Sequence, residues 1–180
     1  MSIWFEKVPY EQFKKDYIDC MKEYIEIPSD EEIKNIYNHI KLPRRSTVGS
    51  AGYDFEAPCE IHLYCPFSDG IKRIKAFRTM KFPTGIRCAM PDNVVLMLYP
   101  RSGLGTKYGE RLLNSVGVID SSYYDAENYG HIMAEIEVTK ADLDLPIFSR
   151  FMQGVFVNYL TTDDDVTNTT RTGGFGSTGV

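Results

Sequence analysis

Val94-Val95-Leu96-Met97-Leu98-Tyr99-Pro100-Arg101-Ser102-Gly103-Leu104-Gly105 is a short apolar run that stops at a turn carrying Pro and Gly. A run of that length, bounded by turn residues, reads as a β-strand covered on both faces. The same signal recurs on either side of it. Upstream, residues 71–77 and 85–90 are short and turn-bounded. Downstream, Ile132, Ala134, Ile136 and Val138 alternate with His131, Met133, Glu135 and Glu137, the two-residue period of a strand with one wet face. Residues 154–160 read as a last strand rich in Val, Phe and Tyr. Many short strands, fairly evenly spaced and without an internal repeat, predict an all-β sandwich, barrel or jelly roll.

The pattern changes at both ends. Phe13, Tyr17, Met21 and Tyr24 recur at helical spacing with charged residues between them, and Pro28 stops that pattern. Ser29-Asp30-Glu31-Glu32 then reads as a capping box ahead of an Ile33, Ile36, Tyr37 and Ile40 stripe. Two short amphipathic helices are therefore expected before Leu42-Pro43, packing on the main body or on a partner subunit. After Leu160 the chain turns polar, with Asp163-Asp164-Asp165 as a solvated linker rather than a metal cluster. The expected division is a helical extension over 1–41, a β-domain over 42–160 and a flexible arm over 161–180.

Composition narrows the class. Hydrophobic residues at 43% and charged residues at 25% suit a globular chain with a real core, and no apolar run approaches the roughly 20 residues of a membrane helix. A net charge of −5 argues against a general nucleic-acid binder but not against a small polyanion held by a few local cations. The start of the chain shows no secretory signal, and the four cysteines show neither CxxC pairs nor zinc spacing. The expectation is a cytoplasmic protein with reduced thiols.

Five stretches could carry chemistry, and each has a plain alternative. Arg101, Ser102 and Gly103 follow the apolar strand where an oxyanion could be held, although a strand-to-helix turn explains them alone. Asp120 ends Gly117-Val118-Ile119-Asp120, so its carboxylate is aimed either at a pocket as a general base or at a turn as a cap. Asp54 sits in the small-residue turn Ser50-Ala51-Gly52-Tyr53-Asp54, and Arg150 and Gln153 head the last strand. Arg171-Thr172-Gly173-Gly174-Phe175-Gly176-Ser177-Thr178-Gly179 combines a cationic fork, glycines, hydroxyls and one aromatic. That composition suits either an arm that orders on a phosphate ligand or a disordered end.

In this order, Ala51-Gly52-Tyr53-Asp54-Phe55, Pro100-Arg101-Ser102-Gly103-Leu104, Gly117-Val118-Ile119-Asp120 with Tyr123, Arg150-Phe151 with Gln153-Gly154, and the Gly-rich C-terminus resemble the five motifs of the trimeric dUTP pyrophosphatase (dUTPase) family. The resemblance covers about residues 41–180. It implies a β jelly-roll barrel, assembled as a homotrimer with active sites at subunit interfaces. It also implies Mg²⁺-dependent hydrolysis of dUTP to dUMP and pyrophosphate, limiting uracil in DNA and supplying dUMP for dTMP synthesis. By the same resemblance Asp120 activates the water that attacks the α-phosphorus. Arg101, Ser102 and Gly103 hold the phosphates, Gln153 reaches the α-phosphate, and Arg150 supports the phosphate or tail side. Asn114 belongs to the uracil pocket, Gly117 and Ile119 bind substrate, and Tyr123 packs under the deoxyribose. In the arm, Arg171, Ser177 and Thr178 meet the γ-phosphate, Phe175 covers the uracil and Gly176 between them also binds substrate. Asp54 supports the metal–water network and subunit contacts, with Mg²⁺ held through phosphates and waters and no direct protein ligand. Neither a membrane nor nucleic acid is an expected partner, while a regulatory protein partner stays open.

Two departures bear on specificity: Ser122 replaces the family's usual Asp before the tyrosine, and residues 124–129 lengthen the uracil-reading hairpin before Gly130. Two rivals follow. A dCTP deaminase shares the fold and relies on a Glu near Glu135, but Glu137 follows on the same alternating face, so a solvated strand edge explains both. A dUTP-responsive binding protein would keep the site as a switch, against which stand Asp120 and the complete arm.

Overall fold

The computed structural model describes residues 2–66 and 77–167. Its main sheet is built around β7 (Val94–Pro100), the apolar run of the sequence. β7 pairs along its whole length with β12 (Arg150–Asn158), from Asn158 opposite Val94 to Met152 opposite Pro100. Its other edge pairs with β9 (Gly117–Asp120). β3 (Tyr53–Glu56) and β2 (Arg44–Arg45) extend the sheet beyond β12, giving the order β2-β3-β12-β7-β9. A second sheet places β10 (Met133–Glu137) between β5 (Thr79–Pro83) and β8 (Arg111–Leu112). Two-stranded pairs complete the β-structure: β4 (Ile61–Leu63) with β11 (Leu143–Leu145), and β1 (Trp4–Lys7) with β6 (Ile86–Ala89). All these pairings are antiparallel.

The sheets close on one apolar core. Phe82 of β5 and Phe151 of β12 meet edge-to-face at 4.9 Å, with Leu96, Phe55 and Met152 buried beside them. Burial of such rings supplies most of the favourable free energy of folding. The mostly-β jelly-roll expectation holds.

Both predicted helices form, α1 over Tyr10–Met21 and α2 over Asp30–His39. Phe13, Tyr17 and Met21 are buried as one stripe, and α1 packs on β5. The capping box is present: the Ser29 N–H donates to the Glu32 carboxylate at 2.8 Å, and the Glu32 N–H donates back to Ser29 Oγ. Reading the first forty residues as helical misses β1, whose Phe5 packs on Tyr53, Phe55 and Phe156 of the main sheet.

Three further expectations change. His131, placed on a wet face by alternation, is fully buried, because α1 covers it. β10 is the middle strand of its sheet, so Glu135 and Glu137 do not lie on a solvated strand edge; Glu137 pairs with Arg111 at 2.6 Å. β9 and β10 lie in different sheets, so residues 121–132 cross between sheets rather than closing a hairpin. Most of the strand expected over 71–77 lies outside the described residues; Phe77 makes an isolated parallel bridge to Leu63.

The helical stripe belongs to the core, so Phe13→Ala should cost about 3–5 kcal/mol of stability in urea denaturation, as removal of a buried ring does. Glu110 generates a pH effect. It is buried just before β8, neither carboxylate oxygen has a hydrogen-bond partner among the described residues, and burial pushes its pKa up to about 8. The folded protein therefore keeps a proton that the unfolded chain releases near pH 4.5. Stability falls as pH rises through that window. Glu110→Gln should raise the melting temperature by an amount that grows from about pH 4.5 to about pH 8 and then levels, whereas a pH-independent difference would refute the assignment.

Candidate functional site

Residues far apart in sequence meet because the strand registers align them. Arg44 lies opposite Asp54, Asp54 opposite Gln153, and Gln153 opposite Tyr99, in one row across β2, β3, β12 and β7. Asp54 is the hub of this end. One carboxylate oxygen accepts from Arg101 Nε at 3.1 Å; the other accepts from Arg150 Nη1 at 3.1 Å and from Ser46 Oγ at 2.8 Å. Two guanidinium groups are thereby held side by side against like-charge repulsion. Gln153 donates to the Pro100 carbonyl at 3.3 Å, and its amide oxygen would stand 2.4 Å from a Cβ on residue 52, so any side chain there would displace the Gln153 amide. The result is a polar hollow of about 380 Å³ whose walls include Ser46, Ser50, Asp54, Arg101, Ser102 and Gln153. A second hollow of about 280 Å³ shares Ser46 and Asp54 with it and adds Lys41, Arg44, Arg45 and Arg150.

A different hollow, of about 430 Å³, opens on the other edge of β7. Asn114, Gly117, Ile119 and Tyr123 line it, with Leu98, Leu112, Met133 and Ala134 as apolar walls and Glu135 beside them. Tyr123 is held from two sides: its hydroxyl donates to the His131 carbonyl at 2.8 Å and accepts from Asn128 Nδ2 at 2.7 Å. Gly130 closes the loop with φ +64°, and a Cβ there would stand 2.7 Å from the Tyr123 carbonyl oxygen. Ser115 and Tyr129, beside the hollow and in the loop, also hold left-handed backbone without being glycine, a strain that the surrounding structure must sustain. The lengthened stretch is anchored at its start, where the Arg87 guanidinium lies 4.2 Å from the Tyr124 ring centroid and Tyr124 bonds to Glu6.

Asp120 ends β9 opposite Val95 and lines neither hollow of the single chain. Gln153 pairs with Tyr99, four residues further along β7 and two strands across from β9. With rises near 3.4 Å and strand spacings near 4.8 Å, the two backbones are about 17 Å apart. One chain therefore brings Asp54, Arg101, Ser102, Arg150 and Gln153 together, and Asn114, Gly117, Ile119 and Tyr123 together, but does not join the two sets. A Cβ on Gly103 would meet nothing, so the space beside it is open. Arg171, Phe175, Gly176, Ser177 and Thr178 lie outside the described residues.

Sequence reasoning missed Ser46, Asn128, His131 and Asp16, which support the site from outside the motifs. Only His131 carried a signal, as a polar residue at the foot of an apolar alternation. Among the described residues no helix is long and apolar enough to cross a membrane, and no group of three or more His, Cys, Asp or Glu side chains is arranged to hold a metal ion.

The chain is similar to known proteins over most of its length. A family model described as dUTPase matches residues 38–179. The deoxyuridine 5'-triphosphate nucleotidohydrolase of Lactococcus lactis subsp. lactis is 41% identical over 144 residues, covering 78% of this chain and 89% of the relative. That of Rickettsia felis is 35% identical over 156 residues, covering 83% and 96%. The crystal structure of dUTPase from Streptococcus mutans superposes with a TM-score of 0.57 at 29% identity, covering 88% of this chain and 98% of that one. With its strand-aligned motifs and these relatives, the chain belongs to the dUTPase family.

Proposed function

We propose that the protein hydrolyses dUTP to dUMP and pyrophosphate at sites shared between copies of the chain in a homotrimer. The observation that carries this reading is the division of the candidate residues between two hollows on opposite edges of β7. The apolar-walled hollow with Asn114 and Tyr123 suits a pyrimidine and a deoxyribose, with Tyr123 packing under the sugar so that a ribose 2′-hydroxyl would clash. The cationic hollow around Asp54 suits a phosphate chain. A second copy supplies the Asp120 that one chain keeps about 17 Å from Gln153.

In the shared site Asp120 takes a proton from a water that attacks the α-phosphorus. The bond from that phosphorus to the bridging oxygen breaks, and pyrophosphate leaves. The carboxylate must come within about 3 Å of the water, directly or through one other water. Asp54 engages Arg101 through Nε, which leaves the Nη side of the guanidinium to the phosphates, with Ser102 and the open space at Gly103 beside it. Gln153 orients the α-phosphate. Residues 161–180 act as the arm: Arg171, Ser177 and Thr178 meet the γ-phosphate and Phe175 covers the uracil, excluding water. Asp54 is already engaged by two arginines and no protein cage of carboxylates assembles among the described residues, so the donor set fits Mg²⁺ carried by phosphates and waters. When bound, that ion offsets charge on the phosphates. The reaction would limit uracil entry into DNA, supply dUMP for dTMP synthesis and take place in the cytoplasm.

Glu135 favours a second reading, since it lines the nucleoside hollow rather than a solvated edge. Phosphorus NMR with Mg²⁺ and separate dUTP, dCTP and dTTP decides between the two: pyrophosphate from dUTP alone supports hydrolysis, while deamination of dCTP would shift the assignment to Glu135. Asp120→Asn should lower kcat by about 10²–10⁴-fold while dUTP still binds. Mixed assembly of Asp120→Asn with Gln153→Ala chains, each inactive alone, should restore turnover. Failure of properly assembled mixed oligomers to do so would place the whole site within one chain.

A further inference from the structure

The N-terminal elements hold the nucleoside loop at both ends. At its start, β1 contributes Glu6 to Tyr124, with Trp4 edge-on to the same ring at 6.4 Å. At its end, α1 contributes Asp16, whose Oδ2 lies 2.5 Å from His131 Nδ1 and also accepts from Gln12 at 2.8 Å. The ring of His131 is fully buried, and its other nitrogen, Nε2, lies 2.8 Å from the backbone N–H of Gly85. A backbone N–H can only donate, so Nε2 carries no proton; the proton of the ring is on Nδ1 and points at Asp16. The same residue's carbonyl accepts the Tyr123 hydroxyl, and Asn128 from the lengthened stretch donates to that hydroxyl.

We propose that Asp16 and His131 are positioning residues for nucleotide selection: the α1 carboxylate fixes the Nδ1–H form of His131, and His131 fixes the carbonyl that orients Tyr123. The proposal rests on the reading of Tyr123 as the platform under the sugar. Without Asp16 the buried Nδ1–H loses its acceptor, and only the Gly85 N–H still opposes transfer of the proton to Nε2. Once the proton moves to Nε2, two donors face each other at Gly85, the ring turns away, and the backbone at 131 moves with it. A histidine that merely filled the core would need a ring of that size but not this chain of oriented hydrogen bonds. The inserted residues and the N-terminal helix, both outside the motifs, then act together as the frame of the sugar site.

The test compares the full chain with Asp16→Ala and Asp16→Asn, assaying dUTP and UTP separately. Alanine is a good helix former and leaves Phe13, Tyr17 and Met21 in place. Asp16→Ala should raise KM for dUTP about tenfold, leave kcat within about threefold and reduce the preference for dUTP over UTP, the scale of one lost charge-assisted hydrogen bond. Asp16→Asn keeps an acceptor oxygen for Nδ1–H and should recover most of that loss. Wild-type KM and selectivity in the alanine variant, or an asparagine variant as impaired as alanine, would overturn the proposal with the dUTPase reading intact. So would a nitrogen-15 spectrum of the wild-type His131 ring showing Nε2 protonated, a readout that needs neither a variant nor turnover. A wild-type chain that turns over no dUTP would instead overturn the proposed function itself.

Discussion

The hydrogen-bonded pairing of β7 with β12 on one edge and β9 on the other is the constraint on which the molecule depends. It places Gln153 beside Tyr99 and Asp120 beside Val95, and so sets both what the chain assembles and what it keeps apart. A one-residue slip would turn every side chain of a strand to the opposite face. Such a slip would bury Gln153 and expose Met152 and Gly154. The buried Leu96, Leu98 and Met152 hold the register, because the alternative puts them in water. Packing energy and site geometry are thus one requirement.

Charge is organised on this frame rather than spread over the surface. The chain is net acidic, yet Asp54 gathers Arg101 and Arg150 at one end of the sheet, with Arg44, Arg45 and Lys41 around them. The half-buried carboxylate offsets the repulsion between the two guanidinium groups and fixes their direction. Glu110 is the opposite case: a buried carboxyl without a partner among the described residues that stays neutral by keeping its proton. One acid orders cations because it is ionised, and the other is tolerated in the core because it is not.

The N-terminal region is part of the body rather than an appendage to it. Phe13 sits in the core against Tyr17, Tyr37 and His131, and β1 adds Phe5 to an aromatic group on the main sheet. Its polar contacts, Asp16 to His131 and Glu6 to Tyr124, converge on the loop that carries the candidate nucleoside contact. Stability and the shape of that hollow therefore share residues.

The sequence by itself determined the local and periodic features. Val94 to Tyr99 announced a covered strand, Ser29 and Glu32 a helix start, Phe13, Tyr17 and Met21 a buried stripe, and the ordered motifs the family. These signals lie within a few residues of one another or recur in a fixed order, so no knowledge of contacts is needed to see them. Only the tertiary structure decided that Asp54 binds both Arg101 and Arg150, that His131 is buried under α1, that β10 is a central strand, and that Asp120 is held away from Gln153. Each of these depends on which strands are neighbours and in what register, and that is chosen by the packing of the whole core. Alternation tells which residues share a face; it does not tell which helix will cover that face.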